Sequence, residues 1–145
     1  MPTSLRILVV EDFADTYKAL RLLLKRWGHE VVVAADGPAA LSAAAAFCPD
    51  VVLLDIGLPG MDGYEVAARL RALSCLGHPL VVATTGFGQP EDVERCLRAG
   101  CDVHLLKPFD PLVLKQLLDL HACEGGPRGE TDIRQEGKPS RPSLS

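Results

Sequence analysis

Short apolar runs alternate with helix-like segments five times along the chain. The runs are rich in Val, Leu and Ile and lack the strict alternation of a half-exposed strand. Such continuous apolar runs are typical of strands buried on both faces, as in a parallel sheet. They predict strands at residues 5–10, 31–34, 51–54, 80–84 and 103–106.

The segments between the runs predict helices. Phe13, Tyr17, Leu20, Leu24 and Trp27 recur at steps of three and four, which predicts the core-facing side of a first helix. The glycine at position 28 predicts the end of that helix. Further helices are predicted at residues 37–47, around Val66, Leu70 and Leu73, around Val93, Cys96, Leu97 and Gly100, and at residues 111–120, with Asp110 as the cap.

This alternation of strands and helices predicts an α/β fold. Parallel strands need crossover helices, and because the crossovers are right-handed the helices cover both faces of the sheet. Five such units suit a flavodoxin-like (βα)5 doubly wound parallel sheet with strand order 2-1-3-4-5. In this order the first and third strands are neighbours, and their carboxyl ends form the crevice where such sheets bind ligands.

Composition narrows the class of protein. A chain of 145 residues with 48% apolar and 23% charged residues indicates one globular domain. The net charge of −4 argues against direct DNA binding, and no apolar stretch approaches the ~20 residues of a membrane span. The five scattered cysteines contain no C-x-x-C pair, which indicates reduced thiols in a cytoplasmic protein. We expect a folded domain at residues 1–123 and a flexible tail rich in Gly, Pro and Ser at 124–145.

Asp55 is the strongest candidate for a reactive group. It ends an apolar run and is followed by Gly57 and Pro59, which indicate a loop. A buried strand has no structural need for an acid at its tip, and ligands bind at the carboxyl end of such strands.

Glu11 and Asp12 end the first apolar run in the same way. One interpretation is that they only cap the following helix. With Asp55 on the neighbouring strand, however, three carboxylates would meet. Like charges ~4 Å apart at an effective dielectric of ~20 repel by about 4 kcal/mol. Such a cluster favours a cation, and its oxygen ligands suit Mg²⁺.

The fourth and fifth strands add a hydroxyl and an ammonium group at the same edge. Thr84 and Thr85 precede Gly86, and Lys107 precedes Pro108. Alone, the threonines suit a β-branched strand end and the lysine a solvated loop. Together with the acids, they suit a site that handles a phosphoryl group.

These segments resemble the receiver domain of bacterial two-component response regulators. The matching stretches are ILVVED at 7–12, VVLLDIGLPGMDG at 51–63, ATTG at 83–86 and KPF at 107–109, and the likeness covers roughly residues 4 to 121. The resemblance implies a single-domain response regulator, without an enzymatic role beyond its own phosphorylation and dephosphorylation.

The resemblance implies a role for each site residue. Asp55 would accept a phosphoryl group from a sensor histidine kinase or a histidine phosphotransfer protein. Asp12, Asp55 and the backbone carbonyl of Gly57 would bind Mg²⁺ directly, and Glu11 would bind it through water. Lys107 would pair with Asp55 and then with the phosphoryl group.

The resemblance also implies a conformational switch. Thr85, rather than Thr84, matches the switch hydroxyl because it directly precedes Gly86. His104 stands where the family usually has a switch Tyr or Phe, and it is equally well explained as a half-exposed strand residue. A downstream protein would read the switch at the fourth helix, fifth strand and fifth helix. A homodimer that forms on phosphorylation is also compatible with the resemblance.

Other classes stay open. A phosphatase resembling the haloacid dehalogenases would have a second acid two residues after the nucleophile, where this chain has Gly57. A flavodoxin-like cofactor binder needs a phosphate loop after the first strand, where Glu11 and Asp12 would repel a phosphate. A degenerate receiver would act only as a docking module, and the complete set of acids, hydroxyl and lysine argues against it.

Overall fold

The computed structural model describes residues 4–57, 62–73, 79–86 and 90–122. The predicted tail at 124–145 and the motif residues 58–61 lie outside this part of the chain. Within it, strands and helices alternate as β1 Arg6–Val10, α1 Ala14–Arg26, β2 Glu30–Ala34, α2 Gly37–Phe47, β3 Val51–Asp55, α3 Gly63–Arg71, β4 Leu80–Thr85, α4 Pro90–Ala99, β5 Val103–Leu106 and α5 Pro111–Leu120.

The strands form one parallel sheet in the order β2-β1-β3-β4-β5, which confirms the predicted flavodoxin-like topology. β3 lies at the centre, and all five of its residues are buried. That burial explains why its sequence is a continuous apolar run rather than an alternating one. No helix in the described ranges is long and apolar enough to cross a membrane.

The helices cover both faces of the sheet, and each face has its own apolar core. Side chains of α2, α3 and α4 pack on one face, and side chains of α1 and α5 pack on the other. Successive strand residues point to opposite faces, so each core takes every second strand residue. The first core contains Leu8, Val10, Val52, Leu54, Val81 and Ala83, and the second contains Ile7, Val9, Val51, Leu53, Val82 and Leu105.

Polar residues set the helix ends much as the sequence predicts. The Asp110 side chain accepts a hydrogen bond from the Leu112 N–H at 2.9 Å, and Pro111 occupies the first turn of α5. Asp36 caps α2 in the same way. Gly28 follows α1 with a φ of +97°, a conformation that glycine adopts without steric cost.

Some predicted helix residues lie elsewhere. Phe13 was predicted on the core side of α1, but it is 60% exposed because it is the N-cap, with extended backbone, and precedes the first helical turn. Leu97 is on α4 but is 45% exposed, since it lies away from the sheet. Leu73 and Gly100 follow the ends of α3 and α4.

Side chains tie the amino ends of the strands together. The Leu5 N–H donates to His29 Nδ1 at 3.1 Å, and the Arg6 N–H donates to Asp50 Oδ2 at 2.9 Å. These bonds satisfy two backbone donors at the amino end of β1.

Arg71 makes a second tie at the same edge. Its guanidinium donates to the carbonyls of Gly100 and Pro79 and to Asp102 Oδ2, at 2.9, 3.0 and 2.5 Å. The same Asp102 oxygen accepts the Val81 N–H at 2.8 Å. One arginine therefore joins the end of α3 to the segments that enter β4 and β5.

Candidate functional site

The sheet register brings the predicted site residues to one edge. Val10 of β1 pairs with Leu54 of β3, so Glu11 and Asp55 follow at the same level. Asp55 pairs in turn with Thr84 of β4. Lys107 directly follows β5, and its N–H donates to the Thr85 carbonyl at 2.8 Å. The carboxyl ends of four strands therefore supply acids, hydroxyls and an ammonium group to one place.

Three carboxylates form a cluster there. Glu11, Asp12 and Asp55 each offer an oxygen, and these atoms all lie within 4.8 Å of one another. Glu11 and Asp55 are buried, with 4% and 7% exposure, whereas Asp12 is exposed. Buried like charges at this spacing need compensation.

Lys107 provides part of that compensation. Its Nζ lies 3.3 Å from Glu11 Oε1 and 3.4 Å from Asp55 Oδ1. The Lys107–Pro108 peptide bond is cis. One ammonium group thus serves two carboxylates, and the cluster retains net negative charge.

Backbone N–H groups also hold the carboxylates in place. The Gly57 N–H donates to Asp55 Oδ1 at 3.0 Å, and the Phe13 N–H donates to Glu11 Oε2 at 3.2 Å. The Phe13 donor was not predictable, because a backbone group has no sequence signal beyond its position next to the acids.

Burial raises the pKa of Glu11 above its ordinary value, and the neighbouring Asp55 carboxylate adds to the rise. The Phe13 N–H and the Lys107 ammonium oppose it. The Glu11 carboxyl group is thus partly withdrawn from water beside a second carboxylate.

The Gly57 Cα faces Asp55. A Cβ at this position would lie 3.6 Å from Asp55 Oδ1, an ordinary van der Waals distance. Glycine places no side-chain atom next to this carboxylate oxygen.

Thr85 and His104 share a face of the sheet. Thr85 pairs with Leu106, two residues beyond His104, and alternation along β5 puts His104 and Leu106 on the same side. By the same alternation Thr84 lies on the other side. Thr85 is buried and His104 is half-buried.

The donor set suits Mg²⁺. Carboxylates at the open end of a sheet are the hard oxygen ligands that this ion prefers, and it keeps sites to share with waters and phosphate oxygens. The mutual spacing of the three carboxylates places their oxygens close enough for one ion.

A family model, curated relatives and solved structures all match this chain to the same protein family. The model of the response regulator receiver domain matches residues 7–119. The DNA-binding response regulator MtrA of Mycolicibacterium paratuberculosis is 42% identical over 106 residues, which is 73% of this chain and 46% of MtrA. The chain therefore spans about half the length of this curated relative.

Solved structures agree in fold. One match is the receiver domain of the sensor histidine kinase PA1611 from Pseudomonas aeruginosa, with a TM-score of 0.73 and 32% identity. The match covers 80% of this chain and 95% of that one. That structure has a magnesium ion in its active-site cleft. The chemotaxis response regulator CheY4 of Vibrio cholerae matches with a TM-score of 0.75 and 30% identity, covering 80% and 97%.

Proposed function

The chain belongs to the family of response regulator receiver domains, and from this premise we propose that it is a phosphorylation switch with Asp55 as the phosphoacceptor. The observation that supports this most strongly is the position of Asp55. Its buried carboxylate ends the central strand, 3.4 Å from the Lys107 ammonium and within the acidic cluster. Receiver domains are signalling domains rather than turnover enzymes, so the activity proposed is the protein's own phosphorylation and dephosphorylation.

The chemical step is transfer of one phosphoryl group. An Asp55 oxygen attacks the phosphorus of a phosphohistidine on a histidine kinase or a phosphotransfer protein. A P–O bond to the carboxylate forms, the P–N bond breaks, and the imidazole leaves with the electron pair and takes a proton. Such transfers depend mainly on positioning and charge neutralisation. The Gly57 N–H orients the carboxylate, and Lys107 offers positive charge to the incoming oxygens.

The metal site would be formed by Asp12, Asp55 and the carbonyl of Gly57, with Glu11 acting through water. Mg²⁺ bound there would neutralise charge on the phosphoryl oxygens. The spacing of the three carboxylates, two of which contact one lysine ammonium, supports this assignment.

The switch would use Thr85. A phosphoryl group on Asp55 adds charge and acceptor oxygens at the edge where β4 ends. The Thr85 hydroxyl would donate to it, and His104, on the same face, would change its side-chain position in response. The role of His104 as a switch residue stays a prediction.

A downstream protein would read the switch. Apolar side chains are exposed on α4, β5 and α5, at Leu97, Leu106, Leu112 and Val113. We propose this surface as the output site, without direct DNA binding by this domain. The single-domain organisation, the cytoplasmic location and a homodimer that forms on phosphorylation stay predictions.

The test is intact-protein mass after incubation with acetyl phosphate or phosphoramidate, with and without Mg²⁺. We expect the wild type to gain one phosphoryl group only with Mg²⁺. Asp55→Asn should gain none. Asp36→Asn is the matched control, because it changes an acid outside the site and asparagine caps a helix about as well.

Failure of the wild type with these donors and with a phosphorylated histidine phosphotransfer protein would contradict the proposal and favour a docking module. Phosphorylation that persists in Asp55→Asn would place the acceptor elsewhere.

A further inference from the structure

Arg95, on α4, contacts the segment that leads out of the acidic site. Its Nη2 donates to Asp62 Oδ2 at 2.9 Å, and its guanidinium carbon lies 4.2 Å from the centroid of the Tyr64 ring. The first contact is a charge-assisted hydrogen bond and the second a cation–π interaction. The Arg95 side chain of α4 therefore binds the beginning of α3 through two contacts, one with Asp62 and one with Tyr64.

Asp62 lies at the far end of the connection that starts at Asp55. It is the N-cap of α3: its Oδ1 accepts the Tyr64 N–H at 2.9 Å, and its carbonyl accepts the Val66 N–H at 3.0 Å. The second carboxylate oxygen receives Arg95. Asp62 thus fixes the first turn of α3 with one oxygen and links it to α4 with the other.

The first turn of α3 packs back against the acidic site. A Cβ on Gly63 would lie 2.6 Å from the Ile56 Cα, so the two backbones are in direct contact. Ile56 directly follows Asp55, and its N–H donates to the Thr84 carbonyl at 3.0 Å. Backbone contacts of this kind cannot shift without moving their neighbours. A continuous path of contacts therefore joins Arg95 to Asp55.

We propose that Arg95 is a positioning residue for phosphoryl transfer, which couples α4 to the acidic site through the first turn of α3. By holding Asp62 and Tyr64, it keeps the first turn of α3 against Ile56, and so keeps the neighbouring Asp55 in the arrangement that metal binding and in-line attack require. The inference rests on the proposed function, since it assigns Arg95 to the reaction at Asp55.

The size of the effect follows from exposure. The Arg95 and Asp62 side chains are 56% and 44% exposed. Exposed ion pairs and cation–π contacts are individually weak, so their loss should lower Mg²⁺ affinity and the phosphorylation rate by about fivefold. Loss of a contact that positions reacting groups can lower a reaction rate by as much as, or more than, its effect on folding stability would suggest.

The chain offers a matched control in Arg69. Its Nη2 lies 2.6 Å from Glu65 Oε2 and its side chain is also 56% exposed, but both partners lie on α3. Arg95→Gln and Arg69→Gln therefore each remove one exposed ion pair, and only the first removes a link between two helices.

Three measurements separate positioning from stability. Calorimetric titration with Mg²⁺ reports metal affinity of the unphosphorylated protein, mass spectrometry with phosphoramidate at saturating Mg²⁺ reports the transfer rate, and urea unfolding reports stability. We expect Arg95→Gln to lower affinity and rate about fivefold relative to the wild type. Arg69→Gln should change neither, and both variants should unfold at similar urea concentrations.

Conservative variants test the contacts themselves. Arg95→Lys keeps a cation near the ring and should recover part of the loss. Asp62→Asn keeps a good N-cap but removes the charge, so combining it with Arg95→Gln should give less than the product of the two single effects.

Wild-type values of affinity and rate for Arg95→Gln would overturn the inference, and so would an equal loss in Arg69→Gln. Strictly multiplicative effects of Asp62→Asn and Arg95→Gln would also contradict it. The wild-type measurement separates this inference from the proposed function: a wild type that accepts no phosphoryl group refutes the function, whereas a normal wild type with a normal Arg95→Gln refutes only the coupling.

Discussion

The Lys107 ammonium supplies positive charge to the carboxylate cluster, as a bound metal ion would. Its ammonium lies 3.3 and 3.4 Å from oxygens of Glu11 and Asp55, two of the three clustered acids. The lysine therefore has opposing effects: it stabilises the metal-free cluster and repels an incoming cation. Under the proposed function it also assists transfer, so its removal should change binding and reaction in opposite directions.

We predict that Lys107→Gln binds Mg²⁺ more tightly and is phosphorylated more slowly. Unit charges ~4 Å apart interact by about 1 kcal/mol in water and ~4 kcal/mol at an effective dielectric of ~20, so affinity should rise at least about fivefold. Titration calorimetry and phosphorylation rates at saturating Mg²⁺ measure the two effects. Lys115→Gln, which removes an exposed lysine paired with Asp119 on α5, is the control. Weaker Mg²⁺ binding by Lys107→Gln would contradict this account of the charge.

His29 has a different role at the opposite edge. Burial lowers the pKa of His29, and the positive charge of Lys115 lowers it further. The negative charge of Asp119 acts in the opposite direction. Its Nδ1 accepts the Leu5 N–H, which requires an unprotonated Nδ1. The folded state therefore favours neutral histidine, whereas the unfolded chain takes up a proton near pH 6.5.

The resulting pH dependence has a definite sign. Between the lowered folded pKa and about 6.5 the unfolded state binds more protons, so the contribution of His29 to stability is complete above pH 6.5 and is lost as the pH falls. We predict that the free energy of unfolding declines less between pH 7 and 5 in His29→Asn, whose side-chain oxygen can still accept from Leu5. Urea unfolding at several pH values measures this, and equal slopes in both proteins would exclude it.

The positions of the candidate site residues were predictable where they follow from chain order. Glu11, Asp55 and Lys107 each directly follow or end an apolar run, and the parallel topology brings such positions together. The contact of His29 was not predicted, since its partner Leu5 is 24 residues away. Nothing in a local pattern indicates which distant backbone group a side chain meets.

At the scale of elements, the contact between α3 and the end of β3 depends on Gly63. A Cβ there would lie 2.6 Å from the Ile56 Cα and 2.8 Å from its carbonyl oxygen, and both are backbone atoms. A methyl group can be accepted only if α3 moves away from the site.

We predict that Gly63→Ala destabilises the protein by about 1–3 kcal/mol, as overpacking does, although alanine favours helices more than glycine does. Chemical unfolding gives the value. Gly86→Ala is the control, because a Cβ at Gly86 meets nothing within 4 Å. A Gly63→Ala protein as stable as the wild type would mean that α3 can shift without cost.

The element boundaries were largely predictable because burial and caps are local signals. The strand at 103–106 was predicted without error, and β1 begins one residue later than predicted. Phe13 shows the limit: its spacing fits the helix, but helical spacing cannot distinguish an N-cap from a first-turn residue. The link from Arg95 to Asp62 was not predictable either, since the two residues are 33 positions apart in the sequence.

At the scale of the whole molecule, metal binding should be coupled to stability. A cation that binds the assembled cluster but not the unfolded chain stabilises the fold, by about 2.7 kcal/mol at 100 times the dissociation constant. We predict that Mg²⁺ raises the melting temperature of the wild type and that a chelator reverses the rise.

Asp12→Asn should lose most of this response. It removes an exposed acid and so has a small effect on the metal-free protein. Differential scanning fluorimetry across a magnesium series measures both proteins. An equal rise in Asp12→Asn would show that the ion acts elsewhere.

The two ends of the parallel strands carry different groups of residues. The amino ends of the strands are tied by His29, Asp50 and the Arg71–Asp102 pair, whereas the acidic cluster lies at the carboxyl ends. Substitutions at one edge therefore leave the other largely intact. Evolution or a protein engineer could therefore vary the acidic site while the ties at the amino ends keep the strands in register.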